Sequence, residues 1–111
     1  MKTTVTKFFR FSASHSSGSR IFGKNYILEI TLDAVSSDRE DVLEEKVSES
    51  LIRKLESRDL GLHVDFLKGI EITDGNLLKT FWSVLQKTLP GFKIRSMTLQ
   101  RDETTKTTLI L

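Results

Sequence analysis

Hydrophobic residues in this chain repeat first every second position and later every fourth, and that change constrains its fold more than any other feature. Tyr26, Leu28, Ile30 and Leu32 alternate with Asn25, Glu29, Thr31 and Asp33, the pattern of a strand with one buried face. Leu43, Val47, Leu51 and Leu55 then recur every four residues, with Ile52 beside them, the stripe of an amphipathic helix. Upstream, Thr4–Ser12 reads as a second strand, with Val5, Phe9 and Phe11 on one face around Lys7, and Thr4, Thr6, Arg10 and Ser12 on the other. The intervening Ala13–Lys24 is rich in Ser and Gly and is expected to be an irregular loop.

Local signals place the other boundaries. Ser37 with Glu40 three residues on predicts a capping box, and Gly61 a helix stop. Residues Leu62–Ile72 are mixed and connect to a second helix, for which Thr73 is the predicted N-cap and Asp74 a first-turn acid suited to the helix dipole. Leu77, Leu78, Phe81, Trp82, Leu85 and Leu89 give that helix a broad apolar face, with Phe81 and Trp82 expected in the core, and Pro90-Gly91 ends it. Strand character returns in Lys93–Arg101 and Thr104–Leu111, with Asp102-Glu103 as the tight connection.

The order is β-β-α-α-β-β. It predicts an α+β fold, a four-stranded antiparallel sheet with two helices packed on one face, as a single domain over residues 1–111. The other face carries aromatic and aliphatic residues, and a lone four-stranded sheet has two open edges. Both are expected to be covered by association into a homo-oligomer.

Composition then excludes several kinds of chemistry. There is no cysteine, so disulfides, thiolate metal sites and cysteine nucleophiles are ruled out. Hydrophobic residues make up 38% and charged residues 29%, values of a soluble globular chain rather than a disordered one. No apolar run approaches the roughly 18 residues of a membrane span, and the alternating Met1–Arg10 does not read as a signal peptide, so no membrane role and a cytoplasmic location are expected. A net charge of +2 gives no reason to expect nucleic acid. The charge is unevenly spread. Lys2, Lys7, Arg10, Arg20 and Lys24 precede an acidic cluster of Asp38, Glu40, Asp41, Glu44, Glu45 and Glu49, read either as solvated faces or as a surface for a neighbouring subunit.

Five short blocks in order carry a resemblance. They are Phe11-Ser-Ala-Ser-His15, Ile21-Phe-Gly-Lys-Asn-Tyr26, Leu62-His-Val-Asp-Phe-Leu67, Ile72-Thr-Asp-Gly-Asn76 and Glu103-Thr104. No block is specific alone. Together they resemble the 6-pyruvoyltetrahydropterin and 6-carboxytetrahydropterin synthases of the tunnelling fold, and the resemblance covers nearly the whole chain. It implies a lyase family that uses a zinc ion held by three histidines. Here the matching positions are His15, Phe22 and Lys24. Phenylalanine has no lone pair to give, and a charged lysine repels a dication. The cysteine that many members use falls at Gly18, the aspartate and histidine that move protons fall at His63 and Val64, and the glutamate of the helix-opening motif falls at Gly75. On this reading no catalytic residue, no metal and no cofactor is retained, and His15 is the only surviving position of the zinc triad.

The resemblance leaves a binding apparatus. It implies that Glu103 anchors the ring of a pterin, with Thr73 and Thr104 beside it. A carboxylate accepts in parallel from the adjacent ring N–H and amino N–H of a 2-amino-4-oxo pterin, and a guanine-like purine presents the same edge. The expected partner is therefore a pterin- or purine-like small molecule, in pockets that this family forms at subunit interfaces. Each residue also has a plainer reading. Glu103 is then a solvated turn acid, His15 a loop histidine, Lys24 a surface lysine rather than a fixed cation in the place of zinc, and His63 a polar residue between helices. The expected function is a ring-binding homologue with a degenerate active site. The alternatives are a zinc-independent pterin-processing enzyme and a structural or regulatory subunit of a tunnelling-fold oligomer.

Overall fold

A computed structural model describes residues 1–17 and 20–111, the side chains of 16–22 excepted. Two long strands dominate it, β1 (Thr4–Ser17) and β2 (Arg20–Asp33), paired antiparallel from Thr4↔Asp33 through to Ser17↔Arg20. The expected loop at Ala13–Lys24 is thus corrected: apart from Gly18 and Ser19, which lie outside the described residues, it continues the hairpin. Small Ser residues look like a loop, but they fit a pleated strand whose backbone hydrogen bonds the partner strand supplies.

The helical layer starts one residue earlier than the capping signature suggested. Ser36 is the N-cap, its side chain accepting from Arg39 N–H, and α1 spans Ser37–Val47. The rod continues through a π-helical turn, Ser48–Ile52, into a last turn, α2 (Arg53–Leu55). The π turn has a geometric cause. At about 100° per residue, apolar groups four apart drift by about 40° at each step, and the wider turn takes up that drift. Leu43, Val47, Leu51 and Leu55 all stay fully buried. The rod ends at Leu55, not at Gly61: Ser57 takes a left-handed φ of 58°, and its N–H bonds to Ser12 O at 2.6 Å.

That turn feeds a two-residue strand, β3 (Arg58–Asp59), which pairs parallel with β1 at Ala13 and Ser14. A 3-10 turn at Asp65–Leu67 leads to α3 (Asp74–Thr88). Thr73 caps α3 as expected, its Oγ1 accepting from Asn76 N–H at 3.2 Å. The chain closes with β4 (Ile94–Asp102) and β5 (Thr105–Ile110) around a turn at 103–104. The sheet is therefore five-stranded and mixed, order β3-β1-β2-β4-β5, and not four-stranded and wholly antiparallel.

Both helical elements cover one face. Leu28, Ile30, Leu32, Met97 and Leu99 meet Leu51, Leu78 and Leu85 there, Phe81 stands edge-on to Phe11 at 6.3 Å, and Phe11 stacks on Tyr26 at 5.0 Å. Trp82 packs at the margin. The open face is more polar than expected. Hydroxyl pairs run across it (Thr6–Thr31 and Thr98–Thr108), and Lys106 caps the Glu29 carboxylate at 3.1 Å in an ion pair without hydrogen-bond geometry. Phe8 and Ile110 stand out as its exposed apolar groups. No helix among the described residues is long and apolar enough to cross a membrane.

Candidate functional site

The alternation that builds the hairpin also sorts its functional residues onto two faces. His15, Lys24 and Tyr26 share the helix-side face with Phe11 and Ala13, whereas Ser12, Asn25 and Ile27 share the open face. Two clefts at this end of the sheet follow from that sorting, and Arg101 borders both.

The helix-side cleft, about 260 Å³, is lined by His15, Lys24, Tyr26, Ile72, Thr73, Asp74, Leu77 and Arg101. Thr73 and Asp74 reach it because they open α3. Arg101 reaches it from the end of β4 and donates from Nε to Asp74 Oδ2 at 2.9 Å, with Thr107 Oγ1 on the same oxygen at 3.4 Å. The Lys24 and His15 side chains are half-buried and make no hydrogen bond or ion pair among the described residues. Burial holds the Tyr26 hydroxyl pKa above its ordinary value, and the Asp74 charge adds to that rise against the opposing Arg101. Tyr26 therefore stays a hydroxyl, able to donate a hydrogen bond.

The open-face cleft, about 350 Å³, is lined by Asn25, Ile27, Gln100, Arg101, Asp102 and Glu103. Glu103 sits in the β4–β5 turn, exposed and without a partner among the described residues. The turn itself is held by Asp102, whose Oδ1 accepts from Thr104 N at 2.8 Å and Thr104 Oγ1 at 2.7 Å, bonds that lower the Asp102 pKa. Thr104 is thus committed to the turn. Asn25 Oδ1 accepts from Ser12 Oγ at 2.6 Å, which leaves the Asn25 amide N–H groups free to donate.

Of the sequence-predicted residues, the fold brings His15, Lys24 and Thr73 together and sets Glu103 in the neighbouring cleft across the sheet, while Thr104 lies in the turn beside it, bonded to Asp102 and outside the cleft lining. His63 joins neither. It lines a cleft with Lys54, Arg58, Val64, Asp65 and Phe66. The Phe22 side chain and Gly18 lie outside the described residues. Among those described, no three His, Cys, Asp or Glu side chains converge as metal ligands would. Sequence reasoning missed Tyr26, Asp74 and Arg101 as cleft residues. Strand parity was the available signal for Arg101, since it follows the buried Leu99 by two positions.

No protein-family model matches this sequence, and no curated protein does. Solved structures do match. The 6-pyruvoyl tetrahydropterin synthase of Caenorhabditis elegans superposes with a TM-score of 0.87 at 17% identity, covering 100% of this chain and 96% of the other. The Plasmodium vivax 6-pyruvoyltetrahydropterin synthase, solved as such and as a catalytic-residue mutant, gives a TM-score of 0.50 at 14% identity over 96% of this chain and 97% of the other. Identity this low carries the backbone and not the chemistry. Along its whole length, the chain has the tunnelling fold of the 6-pyruvoyl tetrahydropterin synthases.

Proposed function

We propose that this chain binds a flat polar heterocycle of the pterin or purine class at the Glu103 cleft, and that it does so without zinc. One observation carries the reading: Glu103 is a carboxylate without a partner among the described residues, at the rim of a cleft whose other groups complement such a ring. The carboxylate accepts two adjacent ring donors, Asn25 and Gln100 offer amides to a ring carbonyl, and Ile27 supplies an apolar contact for the ring face.

Zinc, which the fold's relatives named above bring to mind through the resemblance of the sequence blocks, does not fit the residues present. His15 can donate a lone pair; Phe22 cannot; Lys24 adds a positive charge; and the nearby Asp74 carboxylate is already held by Arg101.

The Glu103 and His15 clefts face opposite sides of one sheet, so a ligand that engages both draws them from two copies of the chain. The unpaired outer edge of β5 and the exposed Ile110 support a homo-oligomer built by sheet extension, with pockets at its interfaces.

The test is thermal stability against pterin, guanine and deazaguanine, for the wild type and Glu103→Gln. A ring at about 100 times its Kd stabilises the fold by roughly 2.7 kcal/mol. The glutamine keeps the shape but replaces one acceptor with a donor that opposes the ring N–H, so the shift should vanish. A shift of equal size in both proteins would remove Glu103 from the site.

A further inference from the structure

The helix-side cleft has a charge pattern that the ring-binding reading does not use. Of the other half-buried cations in the described fold, Lys7 rests on Glu40 and Glu44, Arg95 on Asp33 and Arg101 on Asp74, while Lys46 forms no ion pair among the described residues. Among the described residues Lys24 likewise rests on none, and it shares its cleft with His15 and Arg101. Asp74 offsets Arg101, so Lys24 leaves the described lining with an unbalanced positive charge. A bound anion would supply the counter-charge that Lys24 lacks and gain a charge-assisted hydrogen bond.

The rest of the lining suits a small anion. Tyr26 presents a hydroxyl, and the Thr73 hydroxyl, which accepts from Asn76 N–H, still has its own proton to donate. Thr73 and Asp74 form the start of the 15-residue α3, so the positive end of its dipole adds to the field of the cations. The cleft volume of about 260 Å³ leaves room for such a group.

We infer that this cleft is an oxyanion site, in which Lys24, His15 and Arg101 hold a phosphate or carboxylate group against the opening turn of α3. The ligand class is a small molecule bearing one such group, and the site is independent of whether Glu103 binds a ring.

The probes are inorganic phosphate and malonate, titrated separately at constant ionic strength into the full isotope-labelled chain and followed by amide NMR. Saturable shifts are expected at Lys24 and at Thr73, Asp74, Gly75 and Asn76. Saturation by phosphate alone marks a phosphate ligand, and by malonate alone a carboxylate ligand. Lys24→Gln should weaken binding about tenfold or more, as loss of a charged hydrogen bond does, while Lys24→Arg stays close to wild type. The mapping in the unaltered chain decides the matter even if a variant fails to fold. No saturable shift with either anion, or shifts that Lys24→Gln leaves unchanged, would overturn the inference. Neither probe carries a ring, so failure here leaves the Glu103 reading standing, and failure of that reading leaves this one standing.

Discussion

Replacing Asp74 by Asn should push stability and anion binding in opposite directions. Asp74 Oδ2 takes the Nε–H of Arg101 at 2.9 Å and lies in the first turn of α3. Its side chain is 17% exposed and that of Arg101 37%, so the pair is only partly shielded from solvent. A pair of this kind contributes about 0.5–1 kcal/mol, and an acid at a helix N-terminus about 0.3–1 kcal/mol more. Asn keeps the shape and one acceptor but loses both charge effects, so the free protein should lose about 1–2 kcal/mol. For a domain of this size that is a fall in Tm of roughly 4–8 °C. The same change removes the one carboxylate among the described residues that line the helix-side cleft. Two unit charges about 4 Å apart in water interact by about 1 kcal/mol, which sets the gain in phosphate affinity at up to about fivefold. Differential scanning fluorimetry reads the first effect and the NMR titration the second. If Asp74→Asn weakened phosphate binding along with the fold, Asp74 would be a support for the ligand rather than a charge opposing it, and the electrostatic reasoning would be wrong.

Other consequences concern the fold. Phe81→Ala should cost about 3–5 kcal/mol, because the ring is fully buried and edge-on to Phe11; the urea midpoint should drop with the slope unchanged. Thr73→Ala should cost about 1 kcal/mol by removing the α3 cap, and Thr73→Asn should recover most of it in the same denaturation assay. Arg95 grips Asp33 through two hydrogen bonds, 2.8 and 2.9 Å, and holds its pKa below the usual carboxylate value. The unfolded chain then binds the proton more readily. The stabilisation is present above the unfolded pKa, about 3.9, and is lost as pH falls through the lower folded value. The stability gap between wild type and Asp33→Asn should accordingly close in acid.

Much of this was legible in the sequence because it is local. The alternation at Tyr26–Leu32 fixes which hairpin face is buried, and Thr73 ahead of an apolar stripe fixes where α3 begins. The far half of the hairpin was not legible. Ser and Gly at 12–23 have weak strand preference, and their ladder depends on pairing between distant residues. The two residues of β3 are too few to show a period; their place comes from parallel pairing with Ala13 and Ser14. The π turn is hidden because its apolar spacing of four also suits an ordinary helix. At the site, His15, Lys24 and Thr73 were found through the quoted blocks. The Asp74–Arg101 contact joins residues 27 apart, and only the packing of α3 on the end of β4 brings them together.

The central claim, ring binding at Glu103 without zinc, is tested most directly by calorimetric titration of pterin into the full chain. The titration is run once in excess chelator and once with added zinc, for wild type and Glu103→Gln. The account predicts the same Kd in both wild-type runs, with binding lost or at least about tenfold weaker in the variant, the effect of an impaired charged hydrogen bond. Pterin binding that appears only with zinc, or that is indifferent to Glu103→Gln, would contradict it.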